Sequence, residues 1–229
     1  MLLTPQELAA VIDHTLLRPT ATAQETEHAC RQGLQWGCAS VCVLPCYIGL
    51  AYDILRGSAT AVCTVVGFPL GSLQRRTKLV EAEEALAQGA RELDMVMNLA
   101  AFCSGDFRTV EQEIAAIAAM VHRYGGGKLK VILECALLSP EQQEQAARLA
   151  AQAGADFVKT STGFLGGGAT VEQVARLRRV LPEHVAVKAS GGIRTLEQAL
   201  ELLAAGAARL GTSATASLLE QAHQRVTNS

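Results

Sequence analysis

The sequence predicts an α/β protein, a closed (β/α)8 (TIM) barrel forming one domain over residues 1–229, and three observations carry that reading. Eight apolar runs rich in Val and Ile alternate with eight amphipathic stretches. Clear start and stop signals bound the amphipathic stretches. The length of 229 residues suits eight such units and one sizeable core.

The predicted strands are residues 10–14, 39–44, 60–66, 91–97, 129–134, 155–160, 184–189 and 208–211. The helices between and after them are expected near 23–36, 46–56, 73–88, 107–123, 140–153, 171–180, 196–205 and 213–224. Strict βα alternation implies a parallel sheet, and eight units fit a closed barrel better than an open doubly wound sheet. Helix starts are marked by Thr4-x-x-Glu7, Thr22-x-x-Glu25, Ser139-x-x-Gln142, Thr170-x-x-Gln173 and Thr195-x-x-Gln198, each a capping box. Pro5 and Pro140 fit the first helical position. Gly37, Gly89, Gly154 and Gly206 each follow a helical pattern and precede an apolar run, as helix stops do.

Composition removes several function classes. A net charge of −2 without blocks of like charge leaves no electrostatic footprint for nucleic acid or a membrane surface, so small molecules are the expected partners. The start Met1-Leu2-Leu3-Thr4-Pro5 lacks the pattern of a secretion signal, and no stretch reaches membrane-span length, so a cytosolic protein is expected. Seven cysteines without a C-x-x-C pair read as reduced, mostly buried thiols. Five dispersed histidines lack metal-ligand spacing, so no metal and no cofactor are expected.

In such a barrel the chemistry belongs at the C-terminal strand ends. Lys159 and Lys188 end two apolar runs and are 29 residues apart, about one βα repeat, which sets them side by side on neighbouring strands. Alternation turns Val158 and Val187 outward and both lysines inward. Crowding and desolvation are then expected to lower the pKa of at least one lysine, leaving a nucleophilic amine suited to imine chemistry. Asp94 is the inward carboxylate that completes the group. Thr160–Gly163, Ser190–Arg194 and Leu210–Ser213 are glycine-bearing turns after strands six, seven and eight, where barrels of this kind bind phosphate. Asp13 either lines the mouth from strand one or acts as a local cap. Lys130 and Glu134 share the inward parity and are read as part of the polar layer, while Cys42 is expected to be a buried, unperturbed thiol and His14 a packing or surface residue.

The segments Ile12–Leu17, Val66–Gly71, Glu92–Asn98, Lys130–Glu134, Val158–Phe164 and Val187–Arg194 together resemble the deoxyribose-phosphate aldolases over nearly the whole chain. The resemblance implies a metal-free lyase of deoxyribonucleotide catabolism that acts on phosphosugar and aldehyde substrates, as a homodimer or homotetramer. It implies that Lys159 forms the Schiff base, that Lys188 tunes it and that Asp94 moves protons. It assigns the phosphate to Gly163, Gly191, Gly192, Gly211 and Ser213. Two departures stand out: Phe164 occupies a position where some members carry lysine, and the sequence ends Arg225–Ser229 where some members end in a tyrosine. Rival readings are a phosphosugar isomerase or lyase using Asp94 as base, and a phosphosugar-binding module without catalysis.

Overall fold

Parallel pairing runs from β1 through β8 and back to β1, so the sheet closes on itself and no strand edge is left open. The computed structural model describes residues 3–227. Its strands are β1 Ile12–Leu16, β2 Ser40–Val43, β3 Ala61–Val66, β4 Glu92–Val96, β5 Lys128–Ile132, β6 Phe157–Lys159, β7 Ala186–Ser190 and β8 Ala207–Thr212. The helices are α1 Pro5–Ala9, α2 Ala23–Trp36, α3 Ile48–Leu55, α4 Arg75–Ala87, α5 Leu99–Cys103, α6 Phe107–Arg123, α7 Pro140–Gln152, α8 Val171–Val180, α9 Leu196–Ala204 and α10 Thr215–Thr227. The predicted (β/α)8 architecture is the one found.

Local chemistry explains most boundaries. Each of the five anticipated capping boxes forms with both of its hydrogen bonds, at Thr4, Thr22, Ser139, Thr170 and Thr195. Such caps contribute about 1 kcal/mol apiece. Gly37 closes α2 at φ 71°, a left-handed geometry that would strain a side-chain-bearing residue. The Thr4 box also accounts for a shifted strand: Ala10 serves as the C-cap of α1, so β1 begins at Ile12 rather than at residue 10. Pro45 starts a 3-10 turn over Pro45–Tyr47, which trims the front of the helix expected from 46. The sequence reading missed α5, which Asn98 caps by accepting from Ala101 N at 3.0 Å.

Alternation sorts the strands into two layers. Leu93, Met95, Leu129, Val131, Val158, Val187 and Leu210 are fully buried between the barrel and its helices. Each such side chain contributes roughly 1.5–3 kcal/mol. Inside the barrel, β2 and β3 contribute an apolar group of Cys42, Cys63 and Val65 with Leu17, whereas β4 to β8 and β1 contribute charges. All seven cysteines are free, and only Cys46 and Cys103 are exposed. Among the described residues, no helix is long and apolar enough to cross a membrane.

Two buried polar contacts outside the barrel interior have measurable consequences. Lys78 of α4 is fully buried, donating to Glu113 of α6 at 2.7 Å and to the Val96 carbonyl at 2.9 Å. Lys78→Met would strand the Glu113 carboxylate, so a loss of about 3–5 kcal/mol in urea unfolding is expected, with most of it restored by adding Glu113→Leu. No recovery in the double variant would refute the pairing. His14 packs edge-on to Trp36 and lies 2.9 Å from the Thr215 hydroxyl. Burial, with His28 adding to it, lowers its pKa to about 4. The unfolded imidazole binds its proton near pH 6.5, so this contribution is intact above that pH. It is lost as the pH falls toward 4, by about 3 kcal/mol in all. Unfolding free energies at pH 7 and pH 4.5 should therefore differ less in His14→Gln than in wild type.

Candidate active site

Strand register brings the inward charges to adjacent levels. Lys159 pairs in register with Ile132 and Lys188, Asp94 with Lys130, and Lys188 with Arg209. The neighbouring-strand placement expected for Lys159 and Lys188 is thus found.

Asp94 is the hub of the cluster. Its Oδ2 accepts from Lys159 Nζ at 2.6 Å and from Lys188 Nζ at 2.7 Å, while its Oδ1 accepts from Lys130 Nζ at 2.9 Å. Lys130 also pairs with Glu92 at 2.6 Å and Asp13 at 3.5 Å. Arg209 bonds Asp13 at 2.6 Å and Glu92 at 3.2 Å, and Lys188 contacts Asp13 as well. Four cations and three carboxylates therefore share one nearly dry volume, where an unpaired charge would cost several kcal/mol.

Electrostatics in this volume favour the charged forms. Burial by itself would raise the Asp94 pKa, but Lys130, Lys159 and Lys188 outweigh it and hold the carboxyl well below its ordinary range. Asp13 is held down in the same way by Lys130, Lys188 and Arg209. Burial would lower the Lys188 pKa, yet Asp13 and Asp94 keep it above the usual lysine value. Lys130 is raised for the same reason. For Lys188, then, crowding with another lysine does not produce a neutral amine, because carboxylates are interleaved between the cations.

Above the cluster, at the C-terminal strand ends, lies a cavity of about 340 Å³. Lys159 is the one member of the cluster that lines it. Its side chain is 4% exposed, against 1% or less for Lys188, Lys130 and Asp94. Gly163, Gly191, Gly192, Gly211 and Ser213 all line this same cavity. At Gly211 a Cβ would stand 3.1 Å from Lys188 Cε, so glycine leaves room for the lysine stem.

Several expectations need correction. Asp13 neither lines the mouth nor caps a turn: it is fully buried, an inward residue near the start of β1, and its carboxylate serves Lys188, Lys130 and Arg209. Of Lys130 and Glu134, both expected in the polar layer, only Lys130 joins the charge cluster. Glu134 sits in a left-handed conformation at φ 53° and accepts from Thr162 N at 3.1 Å and from the Thr162 hydroxyl, steadying the turn before Gly163. Cys42 is buried but not unperturbed, since its hydrogen bond with Cys63 holds its pKa below the ordinary value. Cys42, Cys63 and Asp94 lie within 4.8 Å of one another, a spacing compatible with a metal. Lysine ammonium groups already occupy both Asp94 oxygens, however, which disfavours a cation there.

Arg18 also lines the cavity and escaped the sequence reading. Thr162, Ser190 and Arg194 of the anticipated turns line it too, as does Phe164, which meets Phe68 edge-to-face at 5.1 Å. Arg194 and Ser190 were legible as members of the glycine turn after β7. Glu92 and Arg209 share parity with Asp94 and Gly211, which was a usable signal for the lower layer. Of the C-terminal segment contrasted with tyrosine-ending members, Asn228 and Ser229 lie outside the described residues.

Comparison with known proteins agrees with this geometry. A family model described as DeoC/LacD family aldolase matches residues 8–216. The chain is 48% identical over 214 residues to a deoxyribose-phosphate aldolase of Caldanaerobacter subterraneus subsp. tengcongensis, covering 93% of each protein. A solved structure described as a putative deoxyribose-phosphate aldolase from Coccidioides immitis superposes with a TM-score of 0.90 at 38% identity, over 95% of this chain and 86% of that one. The deoxyribose-phosphate aldolase of Aeropyrum pernix, described as a unique tetramer, gives 0.88 at 36% identity, over 95% and 91%. Barrels of many chemistries share this fold, but identity at this level across nearly the whole length goes beyond a shared fold. On that ground the chain belongs to the DeoC/LacD aldolase family, enzymes of the lyase class.

Proposed function

We propose that the protein reversibly cleaves 2-deoxy-D-ribose 5-phosphate to acetaldehyde and D-glyceraldehyde 3-phosphate through a Schiff base on Lys159. The observation that carries this reading is that one amine of the buried charge cluster, Lys159 Nζ, opens onto the cavity while bonded to Asp94 at 2.6 Å. The names of the relatives supply the substrate.

In this reading Lys159 Nζ, as the free amine, adds to C1 of the open-chain sugar. Loss of water from the carbinolamine gives the iminium. The C3 hydroxyl loses its proton, the C2–C3 bond breaks, and its electron pair passes to the iminium nitrogen, leaving an enamine. Glyceraldehyde 3-phosphate departs; protonation of the enamine and addition of water release acetaldehyde and restore the amine. Asp94 is the acid/base partner. It touches the Lys159 nitrogen directly and lies beneath the cavity, which suits proton exchange with Lys159 in the addition and dehydration steps. Lys188 is a fixed positive neighbour on the same Asp94 oxygen, which places it to share that carboxylate with the reacting amine and to hold it in position. Gly163, Gly191, Gly192, Gly211 and Ser213 form the phosphate end, where glycine permits close backbone approach. A cytosolic homodimer or homotetramer serving deoxyribonucleotide catabolism belongs to the same reading.

The test is borohydride reduction in the presence of acetaldehyde, followed by peptide mapping. A mass gain on Lys159 supports the proposal. An unmodified Lys159 peptide from protein that turns over the sugar would overturn it.

A further inference from the structure

Arg18 stands in the loop after β1, on a wall shared by two hollows. One is the cavity above Lys159; the other is a neighbouring groove of about 600 Å³ along α2. The guanidinium is held from outside the cavity, by the Glu25 carboxylate and by the Thr20 hydroxyl at 2.9 Å from Nη1. Glu25 cannot follow Arg18 elsewhere, because its Oε2 accepts from Thr22 N and the Thr22 hydroxyl, both at 2.9 Å, in the capping box of α2. Arg18 is therefore moored to a rigid helix start by an ion pair whose partners are 47% and 45% exposed. Exposed pairs of this kind contribute little and exchange readily.

The cavity is also lined by Gly163, Gly191, Gly192 and Arg194. A phosphate ester seated there presents nearly two negative charges and several acceptor oxygens, against the single charge of Glu25. A guanidinium offers donors in a fork that matches such a group. We propose that Arg18 leaves Glu25 for the substrate's phosphate and sets the preference of the site for phosphorylated over unphosphorylated aldehydes. Resting on the substrate class proposed above, this adds a specificity-determining residue in the loop after β1 to the glycine turns of β6 to β8.

Two substitutions pull in opposite directions. Arg18→Gln removes the mobile charge. Glu25→Gln frees it without losing the helix cap, since this chain already uses Gln in the same position of the capping boxes at Ser139, Thr170 and Thr195. Calorimetric titration with inorganic phosphate should show binding weakened about tenfold in Arg18→Gln and strengthened severalfold in Glu25→Gln. Steady-state kinetics should place the Arg18→Gln effect in KM for the 5-phosphate sugar, so that the ratio of kcat/KM between phosphorylated and unphosphorylated deoxyribose falls about tenfold. Arg18→Lys should recover part of that ratio. Phosphate affinity unchanged in Arg18→Gln, or equal losses on both sugars, would overturn the proposal. These readouts are separable from the Schiff-base reading, because phosphate titration needs no imine and the borohydride adduct on Lys159 needs no phosphate.

Discussion

Lys159→Arg is expected to abolish turnover, with kcat falling by at least about four orders of magnitude. The guanidinium stays protonated and cannot add to a carbonyl, so the covalent route is closed. The substitution retains the positive charge that Asp94 faces at 2.6 Å, so the buried cluster keeps its balance and cooperative unfolding should persist. Loss of activity in a protein that still melts cooperatively then points to chemistry, not to misfolding. The borohydride adduct should vanish in parallel. Activity within tenfold of wild type would remove Lys159 from the centre of the mechanism.

Asp94→Asn is expected to have the largest combined effect on stability and activity. One carboxylate serves Lys130, Lys159 and Lys188, and each of these amines is almost fully buried. Neutralising the hub leaves Lys130 with Asp13 and Glu92, Lys188 with Asp13, and Lys159 without its carboxylate, which should cost about 3–5 kcal/mol at pH 7 in urea unfolding. Activity should fall at least about a hundredfold, since Lys159 loses the group that positions it and that, in the proposed mechanism, exchanges its proton. The pH dependence gives a further check. The folded carboxyl is held well below its ordinary range, so its stabilisation is complete above the unfolded value of about 3.9 and is lost as the pH falls from there. The stability gap between wild type and Asp94→Asn should therefore narrow below about pH 4. A gap that stayed constant down to pH 2 would mean that the carboxylate is not stabilised by the lysines.

Much of this molecule was legible one residue type at a time. The capping boxes, the helix-ending glycines and the period-two pattern of the strands depend on chain neighbours, and all are found as anticipated. The inward direction of Lys159 and Lys188 followed from alternation alone. The glycine turns after three successive strands marked the site because barrel topology places them at one end. Less legible were contacts between distant strands. Arg18 could not be assigned to the cavity from its own neighbourhood, since only closure of β1 against β8 brings its loop beside Ser213.

The order of βα units, the capped helix starts and the identity of the nucleophile candidate were thus determined by the sequence itself, because each rests on short-range periodicity or local hydrogen bonding. Depth was decided only by the tertiary structure. Asp13, Asp94, Lys188 and Lys159 all look alike as polar residues of inward parity. Their height along the barrel axis depends on strand register and stagger, which separates one amine that meets the cavity from a buried lattice of opposite charges beneath it. That lattice also keeps Lys188 charged, because a group's ionisation follows the sum of burial and all nearby charges, and that sum exists only once the sheet has closed.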